Sequence, residues 1–243
     1  MLEIGLAALC CDWPTPLVVL IAVYAYLISL LGSPRTQPAL QRLRDAFPDW
    51  HWIVSSGVRV QENRVRYEDM REMECYRNWT MVSNGYPVRA LGCRLAGLQA
   101  ITLGVQNAIA NGDEYFGIFQ DDATPVEQAR EKLQNLLLIN EGHWDCLWLD
   151  QGQLTGPKGV DGRLGGARLC TGMIVRTSYA LDLIQRLTNA SCEWDVWMEQ
   201  EMKLYGLFYG DDIVFQAAGE SEITGRQKWK TRDPSGISED RLC

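Results

Sequence analysis

The sequence predicts an α/β protein with a mostly parallel, doubly wound, Rossmann-like sheet flanked by helices. Three observations lead there. Short apolar runs alternate with stretches of helical periodicity along most of the chain. The opening succession of strand, Gly/Pro turn, helix and strand is the start of an α/β unit. At 243 residues the chain suits one domain with appendages and can bury a full core.

The elements follow in order. "LVVLIAVYAYLISLL" (17–31) is apolar for fifteen residues. Read as a membrane anchor it is short of the roughly 20 residues a spanning helix needs. It is bounded by Pro14 and Pro16 on one side and "GSP" on the other. The alternative is a buried first strand. "QPALQRLRDAF" (37–47) has apolar residues at 40, 43, 46 and 47, a helical spacing, and "HWIVSSGVRV" reads as a strand. Residues 61–89 are polar and carry no clear period. "ALGCRLAGLQAITLGVQNAIANG" (90–112) is a long helix of small residues, ending at Gly112. "YFGIF" (115–119) is a buried strand, "PVEQAREKLQNLLLI" (125–139) an amphipathic helix and "DCLWLD" (145–150) another strand. Residues 151–166 hold six glycines and are expected to form a mobile loop. "LCTGMIVR" is a strand, "TSYALDLIQRLT" a helix, "EWDVWMEQEMKLYG" a helix and "LFYGDDIVFQ" a turn and strand. From about Arg226 the tail is polar and loosely held.

Composition narrows the function. The net charge of −8 argues against a nucleic-acid partner, which needs a basic face. An anionic ligand would need a metal or local cations. The eight cysteines show no CxxC pair and no Cys/His metal spacing, so a zinc site is not expected and most should be core residues. Two sequons, at Asn78 and Asn189, matter only in a secreted chain. Arg35, Arg42 and Arg44 follow the first apolar run, while Glu3 and Asp12 precede it. If that run is an anchor, this balance favours a cytoplasmic catalytic part. A cytoplasmic or membrane-associated location is therefore favoured, with a Golgi or ER lumen as the alternative.

"EYFGIFQDDATPVEQ" (114–128) carries the strongest chemical signal. Thr124-Pro125-Val126-Glu127 resembles a capping box, with Thr124 as N-cap, Pro125 at N1 and Glu127 at N3. On that reading Asp121 and Asp122 are not needed as caps. Two adjacent carboxylates beside a buried strand repel each other and cost desolvation. Mg²⁺ or Mn²⁺ carrying a diphosphate would remove that cost. In doubly wound sheets ligands bind outside the carboxyl ends of the strands. The bland alternative is a pair of turn residues.

At this point the chain resembles glycosyltransferase family 25, the lipopolysaccharide-type and collagen-type galactosyltransferases with a GT-A-like fold. "YFGIFQDDATP" is similar to that family's acidic motif. "YLISLLGSPRTQPALQRL", "LGCRLAGLQAI", "HWDCLWLD", "CTGMIVRTSYALDLI", "WDVWM" and "VFQAAGESEITG" resemble its other segments in the same order. The likeness covers residues 24–225, leaving 1–23 as an apolar extension that could still act as an anchor and 226–243 as a polar tail. Two departures stand out. The family usually has Ser-His where this chain has Ala96-Gly97, and Glu where it has Gln120.

The resemblance implies a metal-dependent, inverting transferase that moves a galactose-like sugar from a nucleotide sugar, such as a UDP-sugar, to a glycan, lipid-linked or protein acceptor. Asp122 is the expected direct ligand of Mn²⁺ or Mg²⁺. Asp121 and Gln120 would contact the ribose or the metal's water shell. The base that takes the acceptor proton is expected to be Asp195, with Glu193 second. Asp211 and Asp212 either complete the metal site or make a turn. Trp194 and Trp197 could stack on sugar rings or fill the core, whereas Trp148 has core periodicity. The glycine-rich loop could close over the donor. Two rival functions are a glycosyltransferase-like protein that binds without catalysis, and a nucleotidyltransferase. The latter usually needs a basic or glycine-rich phosphate loop, which is absent near the start of this chain.

Overall fold

The computed structural model describes residues 23–58, 86–139, 143–168, 170–188 and 194–217. Strands β1 (Tyr24–Ser29), β2 (His51–Ser56), β3 (Tyr115–Gln120), β5 (Cys146–Trp148), β8 (Gly172–Arg176) and β9 (Phe208–Gly210) form one sheet in the order β2-β1-β3-β8-β5-β9. β8 runs antiparallel to both of its neighbours, and the other pairs are parallel. Five carboxyl ends and the amino end of β8 therefore share one edge. Two small antiparallel pairs sit outside the sheet: β4 (Ala123–Pro125) with β10 (Val214–Gln216), and β6 (Gln153–Leu154) with β7 (Ala167–Arg168). The expected α/β class, a mostly parallel sheet flanked by helices, is the observed one.

Both faces are covered, which is why the central strands are apolar without alternation. Helix α1 (Thr36–Ala46) sends Ala39, Leu40 and Leu43 onto one face, and α3 (Ala129–Ile139) adds Ala129, Leu133 and Leu136 there. An aromatic group of Phe47, Trp50, Trp52 and Phe119 closes that core. The other face holds α2 (Tyr86–Asn111), α4 (Thr177–Thr188) and α5 (Trp194–Leu204). Trp148 and Trp194 are fully buried here and Trp197 nearly so. The tryptophans of α5 are thus core residues, not sugar platforms.

α2 owes its position to small residues. A Cβ at Gly97 would lie 2.5 Å from the Trp194 ring, and one at Gly104 would lie 2.3 Å from the Phe116 ring. At Gly97 the Trp194 indole occupies the space a larger side chain would need. The helix ends as expected at Gly112, with φ +76 and the Asp113 amide bonded to the Ala108 carbonyl.

Three expectations change. The helix expected from 125 begins at Ala129, so Thr124-Pro125 is not its cap. Those residues lie in β4, where Thr124 pairs with Phe215 and Pro125 with Val214. Residues 151–166 are also not a structureless loop. They belong to an antiparallel excursion through β6 and β7, with a further bridge between Lys158 and Leu164. Glu199 on α5 anchors its stem by accepting bonds from Thr155 and Arg168. Finally, Asp211 and Asp212 follow the short strand β9 as well as preceding β10.

The buried-strand reading of the first apolar run holds for residues 24–29. Among the described residues no helix is long and apolar enough to cross a membrane. Residues 1–22, both sequons, Glu193 and the tail lie outside the described residues.

Candidate functional site

The candidate site is the carboxyl edge of the sheet. β3 is buried through Phe119, so the chain carries its next residues to the rim directly from the core. Gln120 is half-buried and its amide bonds the Thr171 carbonyl at 2.9 Å. Asp121 and Asp122 form the turn from β3 to β4. Asp121 Oδ2 accepts the Ser29 hydroxyl at 2.7 Å and, more weakly, Ser33 at 3.4 Å. Asp122 is 6% exposed; its Oδ2 accepts Gln216 Nε2 at 3.2 Å and its carbonyl accepts the Ala217 amide at 2.7 Å. The aspartates are turn residues, and they are also built in. The bonds from Ser29 and Gln216 cross more than ninety positions of chain.

The ends of β5 and β9 add further acids. Asp150 is 2% exposed and its Oδ1 accepts the Gly152 amide at 2.8 Å. Asp212 Oδ1 accepts the Gln151 amide at 3.0 Å, tying the two strand ends together. Asp211 is exposed and its Oδ1 accepts the Asp212 amide at 2.8 Å. Lys158 reaches in from the glycine-rich excursion and donates to the Gly210 carbonyl at 3.0 Å.

Asp195 stands in the first turn of α5, where the helix dipole favours an anion. It lies close enough to the Cys170 thiol that, after burial, its charge is the next cause pushing that thiol up. Cys170 directly precedes Thr171, at the amino end of β8. Asp195 is thus set beside the same rim as the β3 aspartates.

The predicted residues are only partly gathered. Gln120, Asp121 and Asp122 share the β3 end and Asp212 the β9 end, with the β8 and β5 strands between them. Among the described residues no group of three or more His, Cys, Asp or Glu is arranged to hold a metal. Ser29, Asp150, Gln151 and Thr171 are rim residues that the sequence reading missed. For Asp150 a signal existed: "CLWLD" ends an apolar run in an acid, as "YFGIFQDD" does. Thr171 and Ser29 carry no local signal, because only sheet pairing brings them to the rim.

No family model matches the chain, and no curated protein matches it. Among solved structures, a cytidylyltransferase from Leptospira borgpetersenii serovar Hardjo-bovis (strain JB197) is similar, at 10% identity. The match covers 79% of this chain and 75% of that one, with a TM-score of 0.38. So distant a likeness does not bear on the chemistry of the rim. The resemblance to glycosyltransferase family 25 stands on the residues quoted for it alone.

Proposed function

We propose that this chain is a glycosyltransferase that moves a galactose-like sugar from a nucleoside diphosphate sugar, such as a UDP-sugar, to an acceptor hydroxyl on a glycan, lipid-linked sugar or protein. One observation supports this above others: Asp121, Asp122, Asp150 and Asp212 all stand where parallel strands end on one rim. That is where doubly wound sheets bind their ligands.

The donor set fits a hard divalent cation. Carboxylate oxygens suit Mg²⁺ or Mn²⁺, and such ions are commonly held by one or two carboxylates plus substrate phosphates, so a cluster of three acids is not required. Asp122 would be the direct ligand, with Asp121 in the water shell or on the ribose. When bound, the ion would neutralise the departing diphosphate. Asp212 is engaged with the Gln151 amide and would serve the site by fixing the β5 loop. Asp195, at the amino end of α5, would take the acceptor proton in an inverting displacement. Gln120 would orient the donor as a neutral contact.

The test is release of nucleoside diphosphate from a panel of nucleotide sugars with Mn²⁺ and simple sugar acceptors. Asp122→Ala should lower turnover on the order of a hundredfold or more, equivalent to about 2.7 kcal/mol of barrier, while the circular dichroism stays unchanged. Excess chelator should do the same to the natural chain. Asp195→Asn should lose turnover and keep donor affinity. Full activity of Asp122→Ala would overturn the proposal. Donor binding without turnover in the natural chain would instead assign the binding-only alternative, which Gln120 favours because it brings no charge.

A further inference from the structure

Side chains alternate along a strand. Ile118 of β3, Trp148 of β5 and Met173 of β8 face the core beneath α2, α4 and α5. Gln120, Asp150 and Thr171 each lie two residues nearer the rim, in the register that continued alternation assigns to that face. Thr171 is fully buried and Gln151 only 9% exposed. Even so, the Thr171 hydroxyl and the Gln151 side-chain nitrogen have no hydrogen-bond partner among the described residues. Buried polar groups are almost always satisfied, so two orphans on neighbouring strand ends of a candidate site need an explanation.

The chemistry of the surroundings selects the class of ligand. A metal ion asks for acceptors only, and a phosphate asks for donors only. A sugar hydroxyl both donates and accepts. Gln120, Gln151 and Thr171 can do both, and Asp150 and Asp195 accept. We infer that Thr171 and Gln151 hold hydroxyl groups of the transferred hexose and so help to determine which sugar is used. The inference rests on the glycosyltransferase reading. It adds the sugar subsite, on the α5 side of the rim, separate from the Asp121–Asp122 turn. Leu164 and the Gln151 amide converge over Gly210, where a Cβ would lie 2.9 Å from the leucine and 3.1 Å from the amide. The glycine-rich excursion therefore packs over Gln151 at the β9 end, and a sugar can reach Gln151 only if that segment moves.

The experiment is calorimetric titration with UDP-galactose, UDP-glucose and GDP-mannose and with their bare nucleoside diphosphates, in Mn²⁺. It uses the natural chain and the variants Thr171→Val and Gln151→Leu. Both variants should bind the bare diphosphate like the natural chain. For the preferred nucleotide sugar they should lose about tenfold in affinity, the usual effect of one buried hydrogen bond. Thr171→Val is nearly isosteric and removes a hydroxyl that the empty protein does not use, so its ligand-free melting temperature should be unchanged or higher. Sugar affinity unchanged in Thr171→Val overturns the inference. So does a lower ligand-free melting temperature with an unchanged ligand response, which marks a hydroxyl satisfied by ordered water. A natural chain that binds the diphosphate as tightly with the sugar as without it also overturns it. A natural chain that binds none of the five compounds removes the glycosyltransferase reading, and the inference with it.

Discussion

Two groups of carboxylates in this molecule meet different kinds of donor. On α5, Glu199 and Glu201 meet cations. Glu199 pairs with Arg168 and Lys203, and Glu201 accepts Arg186 Nε at 2.9 Å and the Tyr179 hydroxyl at 2.9 Å. Arg186 also lies over the rings of Tyr179 and Tyr205. At the rim, Asp121 accepts from serine hydroxyls, Asp122 Oδ2 from the Gln216 carboxamide, and Asp150 and Asp212 from backbone amides. A guanidinium cancels the charge it meets, whereas a neutral donor orients a carboxylate and leaves its charge in place. The α5 acids serve the fold, and the proposed function assigns the rim acids to a ligand.

Substitutions should separate the two groups. The largest loss of stability is expected from Glu201→Gln. It leaves the Arg186 charge against a buried amide, and should cost about 2–3 kcal/mol in urea unfolding, discounted from a fully buried pair because Arg186 is partly exposed. Asp122→Asn should cost less, because the Gln216 carboxamide that meets Asp122 Oδ2 is neutral, yet it should lose turnover. Equal stability losses at the two positions would dissolve the contrast.

Next in size is Gly97→Ala. Its new methyl collides with Trp194, and overpacking of this kind costs about 1–3 kcal/mol. Trp194→Phe should give back part of that loss if the indole is the obstacle. Donor binding should not follow these changes except through stability.

The smallest effect is confined to acid. Burial pushes the Glu199 carboxyl up, but bonds from Lys203, Thr155 and Arg168 outweigh it and hold the group at about 2, below the ordinary 4.5. A lowered carboxyl stabilises the fold fully above about pH 4.5 and loses that contribution as pH falls towards 2. Glu199→Gln should therefore flatten the acid limb of a plot of melting temperature against pH. An unchanged limb would remove Glu199 from the stem of the glycine-rich excursion as an ionised anchor.

The parts legible in the sequence are those set by local periodicity. "TSYALDLIQRLT" is observed as α4 over Thr177–Thr188, with Tyr179, Ala180, Leu183 and Leu187 buried at helical spacing. The apolar runs at 24–29 and 115–120 are central strands, because burial on both faces leaves no polar position to hide them. Errors arose where a local signature competed with a distant partner. Thr124-Pro125-Val126-Glu127 has the pattern of a cap, but pairing with Val214 and Phe215 takes Thr124 and Pro125 into a strand. The glycines of 151–166 suggested mobility, while order there comes from Glu199 on a helix more than thirty residues away. At the candidate site, Asp121 and Asp122 were visible because they break an apolar run. Thr171 became visible only when β8 was seen to lie between β3 and β5.

The central claim is that the rim binds a nucleotide sugar with a divalent cation. Its most direct test is the melting temperature of the natural chain with UDP-galactose and related nucleotide sugars, with and without Mn²⁺. A ligand that binds only the folded state stabilises it by about 2.7 kcal/mol at a hundred times its dissociation constant, a rise of several degrees. One donor should give such a rise when Mn²⁺ is present, and the rise should be lost in Asp122→Ala. No rise with any donor, or the same rise in Asp122→Ala, would contradict it.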